Sequence, residues 1–554
     1  MAIRFFNRNI PDECHQKMRE FAAAGNDVTW VAFAPGGGSR WSIASKNGAF
    51  FNRNIPDECH QKMQDLSKNG AKIVRVAFPP QGGNSWSIVN DKGAFFNRNI
   101  PDECHQKMQD LSKNGAKIVC VAFPHQGGNS WSIVNDKEGY FNRNIPAEAH
   151  MYMGYFSEVY GPVRIVAFDT DGNGWSVTSA VTRAEKVCDA TRCVSIADVY
   201  HNVAARLDGK VVGYACTVGS AWLGAYSHGQ ARTSANGPAR GFLPSTKIPV
   251  ASVSKLVTAL AAIRVLAKHN ISLNAGIGGH LPSDWHLDTH VASITFRQLL
   301  SHRSGIKDYG NNSQDYATLK KFFTQSVDPT KHTTCQPSSV VDPANPINPN
   351  DKSPCYSNYN FSIFRVLLPM IDGFVDDPAH RAAKLAAAYI KIVEANVFEP
   401  VGAQGVDAKP PATGQQAIGY AFSYKFPGTA SGHDWGDDSL GVGAAGWYLA
   451  IDDIAKVLYS LNKNDGRILT SAQVHDMETT PLGWDVKADS TGYRWVEKNG
   501  GWGWNGTTLS TSVALFGPGV FGALFINSDI SGEPNVGADA VLHDAYMQAL
   551  KPKV

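Results

Sequence analysis

Ser252-Val253-Ser254-Lys255 opens an apolar run from Leu256 to Leu266 and follows a polar stretch rich in β-forming residues. The run reads as a helix, and on a helix positions i and i+3 share a face, so the Lys255 ammonium can reach the Ser252 hydroxyl. A serine hydroxyl is a weak nucleophile at neutral pH. A lysine desolvated by a surrounding core helps to remove its proton. S-x-x-K alone is common on surface helices, so the rest of the chain decides whether this one carries chemistry.

About one hundred residues on, Tyr356-Ser357-Asn358 follows a proline-rich loop, and Lys498-Asn499-Gly500-Gly501 precedes the apolar run Val513 to Phe516. In this order S-x-x-K, Y-x-N and K-x-G resemble the serine β-lactamases and penicillin-binding peptidases. The tyrosine version resembles the class C β-lactamase and DD-peptidase branch. Ile294 to Ile306, Gly443 to Trp447 leading to Asp452-Asp453-Ile454, and the strand pair around Phe521 to Asn527 lie in matching order. The resemblance covers about residues 195 to 550. It implies an α+β (α/β) domain in which an antiparallel sheet is flanked by helices and joined by an all-helical subdomain.

The resemblance also implies roles. Ser252 attacks a carbonyl and forms an acyl-enzyme, while Lys255 and Tyr356 share the proton transfers, a phenol beside cations serving as base and then acid. Which of the two is the acylation base stays open. Asn358, Lys498, Asn499 and Gly500 position the substrate, and the backbone N–H groups of Ser252 and Gly501 form the oxyanion hole. No metal or cofactor is called for. The third motif has a second register, Trp504-Asn505-Gly506, which matches the W-x-G of family VIII carboxylesterases and would remove the cation expected opposite a substrate carboxylate. Gly500-Gly501 favours the lysine register, because a closely approaching substrate backbone needs small residues. No G-x-S-x-G elbow and no H-E-x-x-H helix occurs, so neither an α/β-hydrolase nor a zincin is supported. Asp169 to Gly174 starts like a calcium loop, but Ala180 stands at its twelfth position in place of Glu, so a hairpin turn is expected.

The first third of the chain is an internal repeat. Phe-Asn-Arg-Asn-Ile-Pro begins at Phe6, Phe51, Phe96 and Phe141, and Val-Ala-Phe ends at Phe33, Phe78, Phe123 and Phe168, a period of 45 residues. One supersecondary unit is used four times. In the second unit Pro56-Asp57-Glu58 starts a helix and Asn69-Gly70 stops it; Ile73 to Phe78 and Trp86 to Val89 read as strands around a turn at Pro79 to Asn84. Such a unit cannot bury its own apolar face, so the four pack together as a closed ring or a short stack. His15, His60, His105 and His150, three of them beside Cys14, Cys59 and Cys104, raise a metal reading; adjacent Cys and His on a helix point different ways, which favours a packing role. The organisation expected is a repeat domain for recognition at 1–180, a linker at 181–194 and a hydrolase domain at 195–554.

The chain of 554 residues is 43% hydrophobic and 18% charged, with a net charge of +2. It can support two or three cores and gives no reason to expect nucleic acid or an anionic membrane as partner. No apolar run approaches membrane-spanning length. The start, Met1 to Phe5, runs directly into the first repeat, so no secretory signal is expected within this chain. Among nine cysteines, Cys188 with Cys193 and Cys335 with Cys355 bracket short segments and read as disulfides, which points to an extracellular, secreted protein with at least one free thiol. The long segment Asn311 to Pro354 is either a lid or groove wall that selects the substrate, with a helix at Tyr316 to Ser326 over Ser252, or a surface insertion clipped by a disulfide.

A repeat domain joined to a class C-like hydrolase also resembles the polyglycine hydrolases, secreted peptidases that cut glycine-rich linkers. The resulting expectation is a secreted serine endopeptidase whose repeats dock a peptide or protein substrate. The alternatives are a family VIII-like carboxylesterase, a β-lactamase or DD-peptidase, and an inactive binding protein that uses only its repeats.

Overall fold

The computed structural model describes residues 12–24, 28–36, 39–137, 139–146, 149–150, 153, 163–168, 175–179, 186–220, 225–307, 315–328, 347–375, 377, 380–403, 405–412, 414–421, 431–490, 492–517, 519–533 and 535–553. The chain divides into two compact units, Met1–Glu185 and Lys186–Val554.

In the first unit each of the first three repeats is a helix followed by an antiparallel three-stranded sheet, as in Asp57–Lys68, Ile73–Ala77, Trp86–Asn90 and Phe95–Arg98, and the described residues of the fourth form a two-stranded sheet, Val163–Phe168 with Trp175–Ser179. The third strand is the Phe-Asn-Arg that heads the next sequence repeat. It was not anticipated as a strand because four residues carry little periodicity. Its side chains explain the repeated motif. Asn97 accepts from Ser87 Oγ at 2.7 Å in its own sheet and faces His105 Nδ1 at 3.1 Å on the next helix. Arg98 pairs with Glu58 of the preceding helix at 2.6 Å. The following residue, Asn99, has φ 48°, a left-handed conformation that asparagine tolerates.

The recurrent histidines are therefore part of the scaffold. His60 and His105 have both ring nitrogens against side-chain amides, Asn52 and Gln64 in one case and Asn97 and Gln109 in the other. The neighbouring thiols of Cys59 and Cys104 are buried, and burial pushes each up to about 12. The side chain of His15 and the Asp169–Gly174 loop lie outside the described residues. All four repeats carry the same strand irregularity, before Trp30, Arg75, Cys120 and Ile165. The Arg75 guanidinium lies 5.0 Å from the Trp30 ring and next to the Cys120 thiol, while Trp30 also packs on the core shared by the third and fourth repeats. A linear stack would keep the first unit away from the fourth, so the repeats surround a common axis.

The second unit is built on an eight-stranded sheet in the order 240–241, 225–232, 213–219, 520–526, 507–516, 494–504 and 485–488, with 420–421 paired to 507–516 off this path. All of these pairings are antiparallel. Side chains alternate across the sheet: Phe521, Ala523 and Phe525 enter one core, and Val520, Leu524 and Ile526 the other. Helices Ile196–Leu207 and Ala538–Ala549 cover the second face through Val199, Val203, Val541 and Leu542. The first face carries Ile451–Lys463 and a helical layer that surrounds Ser254–Lys268. That helix is buried on nearly every side, as expected of a helix apolar all round; each fully buried leucine contributes about 1.5–3 kcal/mol.

Two expectations change. Residues 186–194, anticipated as linker, form a hairpin closed by the Cys188–Cys193 disulfide and paired with Leu550–Pro552, because its strand partner comes from the far end of the chain. Helix Tyr316–Thr324 is not a lid. Leu319, Phe322 and Phe323 are buried in the core and Phe322 stacks on Tyr359 with ring centroids 4.0 Å apart. Cys355 is disulfide-bonded, and Cys335, its expected partner, lies outside the described residues. Cys14, Cys59, Cys104, Cys120 and Cys216 are buried free thiols.

Candidate active site

Ser252 lies in a 3-10 turn, Ala251–Val253, that leads into helix Ser254–Lys268. Ala251 holds φ 47°, a conformation that costs a non-glycine residue of order 1 kcal/mol or more and persists only where the surroundings impose it. Here they do. Val250 N–H donates to Trp447 O, and Val250 O accepts from Thr511 Oγ1 at 2.9 Å. Strand 494–504 presses from the side: a Cβ on Gly500 would lie 2.4 Å from Val250 O and 2.9 Å from Ser252 N. Gly500 is therefore a requirement of space beside Ser252.

The three sequence motifs converge at this turn. Lys255 Nζ donates to Ser252 Oγ at 3.0 Å, Asn358 Oδ1 at 2.8 Å and Ala444 O at 2.8 Å, and the residue is wholly buried. Ser252 Oγ and Tyr356 OH are 2.6 Å apart, and Tyr356 is 46% exposed. Two ammonium groups flank its ring, Lys255 Nζ at 5.0 Å and Lys498 Nζ at 5.3 Å from the centroid. Both place positive charge beside the ring. Lys498 is itself 2% exposed and pairs with Asp485 at 3.3 Å.

The third motif at Ser252 is Lys498-Asn499-Gly500. Asn505 and Gly506, at φ 47° and 79°, make the two-residue turn joining strands 494–504 and 507–516, which is what an Asn-Gly pair favours. The cleft next to Ser252, about 410 Å³, is lined by Tyr356, Asn499, Gly500, Gly501, Ser510, Asn535, Gly537 and Asp539. Of the residues expected to position substrate, Asn499 and Gly500 form this wall. Asn358 and Lys498 stand behind Tyr356 and act on Lys255 and the phenol, because their side chains point into the buried side of the motif.

Several contributors carry no motif of their own. His302 packs under Tyr356 with ring centroids 4.7 Å apart, and its Nδ1 accepts from Ser357 N–H at 3.2 Å and faces Asn360 Nδ2 at 3.1 Å. Burial, and then the charges of Lys498 and Lys255, hold the imidazole well below its usual pKa, so it is a neutral prop. Ala444 contributes a carbonyl, which sequence cannot advertise. Its loop is fixed where Gly443, at φ 115°, passes Phe361 O and accepts from Thr258 Oγ1.

The segment that carries Tyr356 is clamped by an ion pair, buried Lys307 with Asp351 at 2.7 Å. Hydrogen bonding to Lys307, then to Ser353, lowers Asp351 from 3.8 to about 2. A carboxylate held below its unfolded value stabilises the fold above that value and stops doing so as pH falls through the folded one. The melting temperature of wild type should therefore exceed that of Asp351→Asn at neutral pH, and the gap should shrink as pH is lowered from 5 toward 2. A gap independent of pH in thermal melts would show that the ion pair is not its source.

A buried lysine joining a serine, a tyrosine and an asparagine beside a sheet-edge cleft defines a serine hydrolase of the acyl-enzyme type. The family model described as Beta-lactamase matches residues 201–545, and the chain belongs to the β-lactamase family. Similar solved structures include a D-amino acid amidase from Ochrobactrum anthropi SV3 (17% identity, 64% of this chain and 98% of that one, TM-score 0.47). They also include a class C β-lactamase from Rhodobacter sphaeroides (15%, 64% and 98%, 0.45) and a β-lactamase/D-alanine carboxypeptidase from Pseudomonas syringae (16%, 64% and 97%, 0.46). No curated protein matches the chain.

Proposed function

We propose that this chain is an extracellular serine endopeptidase that cleaves peptide amides in glycine-rich, extended segments. The observation that supports it most is the edge of strand 494–504 beside Ser252. Strand 485–488 pairs only as far as Glu497, so among the described residues 498–504 have no strand on that side, and Gly500, Gly501 and Gly503 supply almost no side chain there. An extended peptide can add to such an edge through its backbone, and the glycines along it leave room for a close-lying peptide backbone.

In the reaction, Ser252 Oγ attacks the peptide carbonyl carbon while its proton passes to the Lys255–Tyr356 pair. The oxyanion accepts from the N–H groups of Ser252 and Gly501. Tyr356 OH returns the proton to the leaving amine as the C–N bond breaks, and water then hydrolyses the acyl-Ser252 ester by the reverse proton path. The repeats dock the protein that carries the scissile segment. The Cys188–Cys193 disulfide supports an oxidising, extracellular setting, and no helix of the described residues is long and apolar enough to cross a membrane.

The test is mass spectrometry of a glycine-rich peptide, a short-chain acyl ester and a penicillin, each incubated with wild type and Ser252→Ala. Internal Gly-Gly cleavage by wild type alone is expected. Rapid ester turnover with intact peptide would replace the peptidase reading with a carboxylesterase one, a reading also compatible with Lys498 being withdrawn from the cleft.

A further inference from the structure

Asp539 carries the only formal charge among the described residues that line the cleft beside Ser252. Its position is built. It lies in the first turn of helix Ala538–Ala549, whose Ala538 N–H donates to Ser510 Oγ at 2.8 Å on the neighbouring strand. Asn499 Nδ2 donates to Asp539 Oδ2 at 3.3 Å, which ties the carboxylate to the third motif. A Cβ at residue 537 would lie 2.4 Å from Asp539 Oδ1, so a larger residue there would displace the carboxylate from its present position. Gly537 thus leaves the room that this oxygen occupies on the cleft wall.

The cation that could oppose Asp539 is turned away. The Lys498 side chain is 3% exposed and is spent on Asp485. The helix N-terminus itself has the equivalent of about half a positive charge, less than the full negative charge that Asp539 sets in its first turn. The exposed wall of the cleft thus carries one negative charge, while the ammonium groups of Lys255 and Lys498 are buried behind Ser252 and Tyr356.

We infer that Asp539 selects substrates by charge: it pairs with an ammonium group on the substrate, such as a free peptide amino terminus, near the scissile carbonyl, and repels carboxylates there. The inference rests on the reading of Ser252 as the nucleophile. Among the peptides proposed above it favours those with a positively charged group close to the scissile bond and disfavours the carboxylate-bearing ligands that a buried, paired Lys498 is badly placed to hold.

The test uses Gly-Gly-Gly-amide with a free, an acetylated or a succinylated amino terminus, which differ at that end by charges of +1, 0 and −1. Binding to the full-length Ser252→Ala protein is measured by calorimetry, and turnover by wild type is measured separately. The free amine should bind about fivefold more tightly than the acetylated peptide, as for a solvent-accessible charge pair, and the succinylated peptide should be weakest. Adding Asp539→Asn should compress this order, and Asp539→Lys should invert it. Equal binding of the three, no detectable binding of any, or an equal loss for all three in Asp539→Asn would overturn the inference. Correct binding order without turnover by wild type would instead count against the peptidase reading, leaving the charge selection standing.

Discussion

Lys255→Ala should lower kcat/KM by about 10²–10⁴-fold, the range associated with loss of a positioned proton-transfer group. Lys255 is the hub of the site: one buried ammonium donates to Ser252 Oγ, Asn358 Oδ1 and Ala444 O. Its removal takes away the charge that assists proton departure from Ser252 and the donor to the buried Ala444 carbonyl, a loss of about 1–3 kcal/mol for a buried acceptor. A lower melting temperature should accompany the loss. Arginine should not rescue activity, since its planar fork is larger and cannot reproduce the compact three-donor ammonium in a wholly enclosed position. Steady-state kinetics with circular dichroism checks this, and near-wild-type kcat/KM in a folded Lys255→Ala protein would remove Lys255 from the chemistry.

Gly500→Ala should cut activity sharply, because its clash falls on the turn that carries Ser252. The added Cβ would meet Val250 O at 2.4 Å and Ser252 N at 2.9 Å, and neither is the far end of a flexible side chain. The strand or the nucleophile turn must move. Overpacking of this kind costs about 1–3 kcal/mol, and a displacement of about 1 Å at a reacting group can cost about 10²-fold in rate. Gly279→Ala is the matched control, because a Cβ there meets nothing within 4 Å. Equal activity of the two variants in the same assay would show that Gly500 does not fix the position of Ser252.

What was legible in the sequence follows from what sequence encodes locally. Ser252 and Lys255 could be paired because i and i+3 share a helical face. Tyr356 and Lys498 depended on resemblance, as more than one hundred residues separate each from the motif before it. The Lys498 register became clear only from the hairpin, where Asn505-Gly506 is the turn and Gly500 abuts the serine. Ala444 acts through a carbonyl, His302 through packing beneath Tyr356, and Asp539 through a helix folded against the third motif; none has a local signature. In the repeats, the helix and two strands were readable from their caps and turns. The third strand was hidden because its four residues belong to the next sequence period. Helix Tyr316–Thr324 was visible as a helix, but which surface its Phe322 and Phe323 covered is a matter of tertiary packing.

The most direct test of the central claim is intact-mass spectrometry of wild type and Ser252→Ala after exposure to a fluorophosphonate. One phosphonyl adduct on wild type, mapped to the peptide containing Ser252 and missing from the variant, is the predicted result. No adduct on wild type, or an equal adduct on both proteins, would contradict the assignment of Ser252 as the nucleophile.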